Sequence, residues 1–216
     1  MSNVKLISHT TGAGELEGKS PQDVISYVAR VSNPHNQENF HTSGGLLRYC
    51  IKHKHWSPFE MASMCVEITT TRAIAPQILR HRSFSFHEFS QRYAVAVDAP
   101  IPQIRRQDKK NRQNSIDDFS LEKRAKHYDR INIHFEEAFS LYEDMLADGV
   151  AKECARAVLP LNTATRLYMS GTIRSWLHYV DLRGDNGTQL EHMQIARSVG
   201  DILDDNVPTI ARAMWG

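Results

Sequence analysis

The chain has 216 residues, 41% of them hydrophobic, which allows one large domain or two small ones with a sizeable core. Its 26 lysines and arginines against 25 aspartates and glutamates leave it near neutral, which argues against a bulk nucleic-acid binder. Its three cysteines, Cys50, Cys65 and Cys154, are odd in number and lack CxxC spacing, against a disulfide framework or a thiolate zinc site. No apolar run approaches the roughly 20 residues of a membrane span, and Met1-Ser2-Asn3-Val4-Lys5 lacks an apolar signal core. A reducing, soluble, cytoplasmic setting with no membrane partner is expected.

Ser20 and Pro21 open the first predicted helix, because serine caps and proline is tolerated at the first helical position. Its apolar stripe reads Val24, Tyr27, Val28 and Val31. A second helix runs from near Gly45 to Lys52 and buries Leu46, Leu47 and Ile51. His53 to Glu60 reads as a loop, since Pro58 pushes Ser57 out of the helical region. Met64, Val66, Ile68 and Thr70 alternate with Cys65, Glu67 and Thr69, the pattern of a half-buried strand. Arg72 to Leu79 reads as a helix kinked at Pro76. Arg80 to Arg92 reads as loop, and Ala94 to Val97 as a short strand. Arg105 to Asp118, polar and carrying Lys109, Lys110 and Arg112, reads as a mobile loop or insertion.

The longest predicted helix runs from Leu121 to Asp148, with Gly149 as its stop. Its stripe is Tyr128, Ile131, Phe135, Phe139, Tyr142 and Met145, either core or subunit interface. A short helix over Lys152 to Val158 ends at Leu159-Pro160, and Thr163 to Ser170 reads as a strand. Thr172 to Asp181 reads as a helix burying Ile173, Trp176, Leu177 and Val180. Gly184-Asp185-Asn186-Gly187 is a turn before a last major helix, Thr188 to Asp205. With no internal repeat and no dividing linker, the reading is one α+β domain over 1–216, long helices packed on a mixed sheet.

The chemistry concentrates in Arg80-His81-Arg82, followed after seven residues by Ser90, with Glu88 and Arg92 around the serine. Guanidinium groups this close repel one another unless an anion joins them, and their planar fork matches phosphate and carboxylate. Phe84, Phe86, Phe89 and Tyr93 interleave with the polar groups, which suits a partly buried pocket better than a solvated loop. Composition alone reaches an anion or nucleotide site and no further. His53 and His55 have metal-ligand spacing but no strong third ligand, so loop packing or ring stacking is the better reading. The cysteines read as small core residues rather than nucleophiles.

Arg-His-Arg, seven residues, then Ser resembles the signature of the flavin-dependent thymidylate synthases. Ala29-Arg30-Val31-Ser32 resembles the N-terminal segment of that family. His55-Trp56-Ser57-Pro58-Phe59-Glu60 and Arg156-Ala157-Val158-Leu159-Pro160-Leu161-Asn162 resemble two further elements, and Arg174 to Arg183 resembles a ligand-contacting helix, all in family order. The resemblance implies reductive methylation of dUMP to dTMP, with methylenetetrahydrofolate as methylene donor, FAD as hydride carrier and NADPH as reductant. It also implies a homotetramer with shared active sites.

By that resemblance Gln77, Arg80, Glu88, Phe89, Ser90, Gln91, Arg92, Arg156 and Arg183 match dUMP positions. Ser57, Arg80, His81, Arg82, Glu88, Thr172, Arg174 and His178 match FAD positions, with Ser32 a weaker candidate and His55 near the flavin. Arg183 matches the catalytic residue that polarises the uracil ring, where a guanidinium stabilises charge as the ring nitrogen ionises. Arg92 and Arg156 match phosphate contacts, each worth roughly 1.5–3 kcal/mol. Ser90, with no base paired to it, reads as a ligand rather than a nucleophile. The chain departs from the family at Gly187, where histidine is common, and at Thr172, where asparagine is frequent.

Two other functions compete with this one. The thymidylate synthase class with a cysteine nucleophile needs a cysteine after a proline, and none is present. A nucleic-acid module built on Arg105, Arg106, Lys109, Lys110 and Arg112 would bind with steep salt dependence, which near-neutral charge and non-basic flanks oppose.

Overall fold

A computed structural model describes residues 3–216; Met1 and Ser2, part of the segment read for a signal core, lie outside the described residues. The main sheet has four strands in the order β1 (Asn3–His9), β2 (Ser63–Thr71), β6 (Ala164–Thr172), β3 (Ser85–Glu88). Every pairing is antiparallel, from Asn3 opposite Thr69, through Ser63 opposite Thr172, to Ser85 opposite Ser170. The α+β class holds, while the mixed sheet is corrected to an antiparallel one. Connections run through helices and long loops, so sequence order alone did not fix strand direction.

Alternation explains the two central strands. Met64, Val66, Ile68 and Thr70 of β2 and Thr165, Leu167 and Met169 of β6 are buried on one face. That face is covered by α1 (Pro21–Ala29), α2 (Ser43–Lys52), α6 (Ile173–Arg183), α7 (Leu190–Asn206) and α8 (Pro208–Trp215). The opposite face is polar: Tyr168 donates to Glu67 at 2.8 Å, and Lys5 and Arg166 lie 3.9 and 3.8 Å from the same carboxylate. An antiparallel sheet with one covered and one open face is the expected outcome of such alternation. Trp176, fully buried in α6, donates its indole N–H to the Met64 carbonyl at 3.1 Å and pins that helix to β2.

Several elements differ from the sequence expectations. α1 has the expected Ser20 cap, made reciprocal by Asp23, but buries Ile25 instead of the valine stripe, and Val31 is 70% exposed beyond the helix end. Arg72 to Leu79 is helical only over α3 (Ala75–Ile78), with Pro76 in its first turn, so proline starts the helix rather than kinking it. The expected loop from Arg80 to Arg92 contains β3, and Ala94–Val97 forms no strand. Arg105–Asp118 contains a small hairpin, β4 (Arg106–Gln107) with β5 (Ser115–Ile116). It is tied down by Arg105, 2.7 Å from Glu191. β1 and α8 were not foreseen.

A second, smaller apolar cluster sits under α4 (Leu121–Ala147) and α5 (Lys152–Ala155), around Tyr142, Ala96 and Ala155. Of the predicted α4 stripe only Tyr142 is fully buried; Tyr128, Ile131, Phe135, Phe139 and Met145 are half-buried, and Ile133 and Leu141 are exposed.

Candidate active site

The turn between α3 and β3 carries Arg80-His81-Arg82. Phe84 anchors it, its ring 4.6 Å from Trp176 and packed where Gly171 has no side chain. A Cβ at Gly171 would stand 2.4 Å from that ring, so β6 admits Phe84 only because residue 171 is glycine. The anchored turn leaves Arg80 and Arg82 exposed and sends His81 inward onto α6. There Arg183 donates its Nε–H to His81 Nε2 at 3.0 Å. Burial, and then the Arg183 charge, push the His81 pKa down, so the imidazole stays neutral and able to accept. Gln77, on α3, donates to Gln189 at 2.7 Å beside this group.

On the other side of β3, Glu88 is held by Arg72 at 3.0 Å and by the Thr165 hydroxyl at 2.9 Å, while Arg72 also donates to the Phe89 carbonyl at 2.7 Å. A cavity of about 420 Å³ lies here, lined by Arg72, Gln91, Glu153, Arg156, Leu161 and neighbouring residues. Gln91 is only 7% exposed and its Nε2 has no hydrogen-bond partner. Such a buried orphan donor calls for an acceptor. Arg92 pairs with Glu153 at 3.1 Å, and Arg156 donates to the Glu153 carbonyl at 3.3 Å. Ser90 accepts from the Arg92 N–H at 3.3 Å. Arg72 is a site residue that sequence reasoning missed. Its only signal was its place just past the end of β2, from which a long side chain reaches the sheet edge.

The third group surrounds the start of α6. Thr172 is its N-cap and accepts from the Ser175 N–H at 3.3 Å. Arg174 pairs with Glu60, at the end of the short helical turn Ser57–Glu60 that Pro58 opens. His178 is exposed, its ring 5.0 Å from Trp56 and edge-on to it. The Ser175 hydroxyl donates to the Ser83 carbonyl at 3.4 Å and joins this group to the Arg-His-Arg turn. Arg174, the N-terminal end of α6 and the Trp56–His178 surface together have the chemistry to take a planar, anionic cofactor. Ser32 lies exposed in the turn after α1.

His53 stacks on Tyr49 with centroids 4.2 Å apart, and His55 lies 5.8 Å from the same ring, so ring stacking is the arrangement they adopt. Among the described residues no group of three His, Cys, Asp or Glu side chains could hold a metal ion. The cysteines are free: Cys50 is buried and Cys65 half-buried, whereas Cys154 is exposed and not the core residue expected. Burial pushes the thiol pKa of Cys50 and Cys65 up, the opposite of what an activated nucleophile needs.

The sequence pattern of the thymidylate synthase complementing proteins matches residues 5–209. The chain belongs to this family, that of the flavin-dependent thymidylate synthases, and is an enzyme of the methyltransferase class. It is 52% identical to the flavin-dependent thymidylate synthase of Synechocystis sp., over 98% of this chain and 99% of that one. It is 50% identical to a probable flavin-dependent thymidylate synthase of Paramecium bursaria Chlorella virus 1, over 98% of both. Among solved structures, the UMP/dUMP methylase PolB from Streptomyces cacaoi, bound with 5-Br dUMP, superposes with a TM-score of 0.84. That match has 25% identity over 99% of this chain and 94% of the other. No helix among the described residues is long and apolar enough to cross a membrane.

Proposed function

We propose that the chain converts dUMP to dTMP by reductive methylation, with methylenetetrahydrofolate as methylene donor, FAD as its flavin and NADPH as reductant. The observation that carries this reading is the Arg183–His81 pair, a charged donor fixed by a neutral imidazole at the foot of the Arg-His-Arg turn. A guanidinium so held needs little reorganisation when charge develops on a pyrimidine ring, and that preorganisation is the source of its effect. Arg92, Arg156 and the Gln91 amide take the dUMP phosphate, and Ser90, Phe89, Gln77 and Arg80 complete its binding. Glu88, anchored by Arg72 and Thr165, orients the nucleotide side facing the cofactor.

Ser57, Arg80, His81, Arg82, Glu88, Thr172, Arg174 and His178 hold FAD, which when bound supplies the hydride that completes the methyl group. The half-buried apolar stripe of α4 supports a homotetramer with active sites between subunits, because one chain leaves that stripe only partly covered. One core with one satellite cluster supports a single domain over 1–216. Three free cysteines support a reducing, cytoplasmic setting.

The absorbance spectrum of the purified protein, with and without dUMP, tests the reading. A flavin band that changes on adding dUMP is expected. A colourless protein that still makes dTMP would contradict it.

A further inference from the structure

Beneath the Arg183–His81 pair lies a buried polar group to which the chemistry above gives no task. His192, on α7, is fully buried at 0% exposure, and its Nε2 lies 3.1 Å from the Tyr179 hydroxyl of α6. Its other ring nitrogen, Nδ1, has no hydrogen-bond partner. Tyr179 is also buried, and its ring stands against His81 with centroids 4.9 Å apart and planes at 82°. The His192 ring lies 6.1 Å from His81, again at 82°. Tyr179 and Arg183 are four residues apart on α6 and share one helix face. The unpartnered nitrogen costs its desolvation, and an apolar pair of the same shape could replace this phenol and imidazole at little or no cost, so packing alone does not call for them.

We propose that Tyr179 and His192 are positioning residues, an uncharged hydrogen-bonded floor that fixes the His81 ring in the orientation and tautomer that accept from Arg183. The inference rests on reading Arg183 as the group that polarises the pyrimidine. Because Arg183 donates its Nε–H, His81 Nε2 carries no proton and the ring proton sits on Nδ1. A ring turned over, or doubly protonated, would set N–H against N–H and release the guanidinium. Tyr179 walls one edge of the ring, and its own hydroxyl is committed to His192, so it does not compete for His81.

Arg183 and Tyr179 face His192 from α6, and His81 faces it from the turn after α3; Glu191 on its own helix is committed to Arg105. Burial first, then the Arg183 charge and His81, push the His192 pKa down to about 4. Around neutral pH Arg183 is therefore the sole charge in the group.

The test uses full-length protein with FAD, methylenetetrahydrofolate and NADPH, in Tyr179→Phe, His192→Leu and His192→Gln. Steady-state kinetics are measured across pH, and the His81 tautomer is read by NMR of isotope-labelled histidine in the resting protein. Tyr179→Phe and His192→Leu should lower kcat roughly ten- to hundredfold through misplacement of the reacting groups, with the KM for dUMP little changed. The acid limb of the kcat profile should move to higher pH, and the Nε2–H tautomer of His81 should appear. His192→Gln, neutral and able to bond Tyr179, should restore most of the kcat lost in His192→Leu. A lower melting temperature in Tyr179→Phe and His192→Leu, with kcat, pH profile and tautomer all as in the parent, would overturn the proposal. The tautomer is read without turnover, so a parent protein that makes no dTMP would defeat the functional reading while this test still decides the positioning role.

Discussion

At the residue scale the site divides into groups with a pairing visible in the fold and groups awaiting one. Arg183, His81, Glu88 and Arg92 have partners within the chain, whereas the Gln91 Nε2 is buried without one. Ser90 accepts a hydrogen bond from the Arg92 N–H, and the proposed function gives it a binding role rather than that of a nucleophile. Ser90→Ala, and Cys50, Cys65 and Cys154 changed together to serine, should each keep measurable turnover, the first with weaker dUMP binding. Mass spectrometry during turnover checks this, and a covalent dUMP adduct on Ser90 or on a cysteine would refute it.

His192 also gives a stability signature. Its folded pKa of about 4 lies below the ordinary 6.5, so the unfolded chain takes up the proton first as pH falls. Stability from this group is fully present above about pH 6.5 and is lost as pH falls toward 4, about 3 kcal/mol in all. Denaturant titrations at several pH values should show a shallower acid loss in His192→Gln than in the parent; parallel losses would contradict the assignment. The short motif around His81 and Ser90 was legible because its residues are neighbours in sequence. Arg72, Tyr179 and His192 were not, because their partners come from other elements and no local period marks them.

At the scale of elements, the β2 and β6 strands were legible because a sheet with one covered face writes period-two alternation into its strands. β1 hid its alternation at a bulge between Leu6 and Ser8, which leaves Ile7 52% exposed. β3 is four residues long and pairs on one side only, so a polar run was enough to mask it. Ala94–Val97 has strand-like residues but no neighbour to pair with; Ala96 alone is buried, under Tyr142. The close fit of β6 to the Arg-His-Arg turn makes a sharp prediction. Gly171→Ala places a methyl 2.4 Å from the Phe84 ring, so the ring and the turn behind it must move. Overpacking of this kind costs about 1–3 kcal/mol, and activity should fall with it. A variant with parent melting temperature and turnover would show that Phe84 does not anchor His81.

At the scale of the whole molecule, the proposed ligand positions lie on the short helical turn at Ser57, on α3 and the turn after it, on β3 and just beyond it, along α6 and near α5. Of these residues the 420 Å³ cavity is lined by Gln91 and Arg156 alone. On the proposed reading assembly completes such a site, with the half-buried apolar stripe of α4 as the contact. The sequence showed that stripe clearly but not its use, because periodicity marks an apolar face and not what covers it. FAD that binds only the assembled form stabilises it by about 2.7 kcal/mol at a hundredfold excess over its Kd. Ile131→Glu with Phe135→Glu, both on that stripe and half-buried in the single chain, should therefore shrink the particle in light scattering and release flavin in the same sample. A monomer that keeps stoichiometric FAD and makes dTMP would refute the shared site.

The central claim is that this chain methylates dUMP with a flavin and with Arg183 polarising the ring. Its most direct test is dTMP formation, read by mass spectrometry of the nucleotide, in the parent and in Arg183→Ala. Both are supplied with dUMP, methylenetetrahydrofolate and NADPH, with FAD added or withheld from flavin-stripped protein. The expected result is dTMP from the parent only when FAD is present, and a loss of roughly a hundred- to thousandfold in Arg183→Ala with the fold intact. Undiminished dTMP from Arg183→Ala, or from the flavin-stripped parent, would contradict the account.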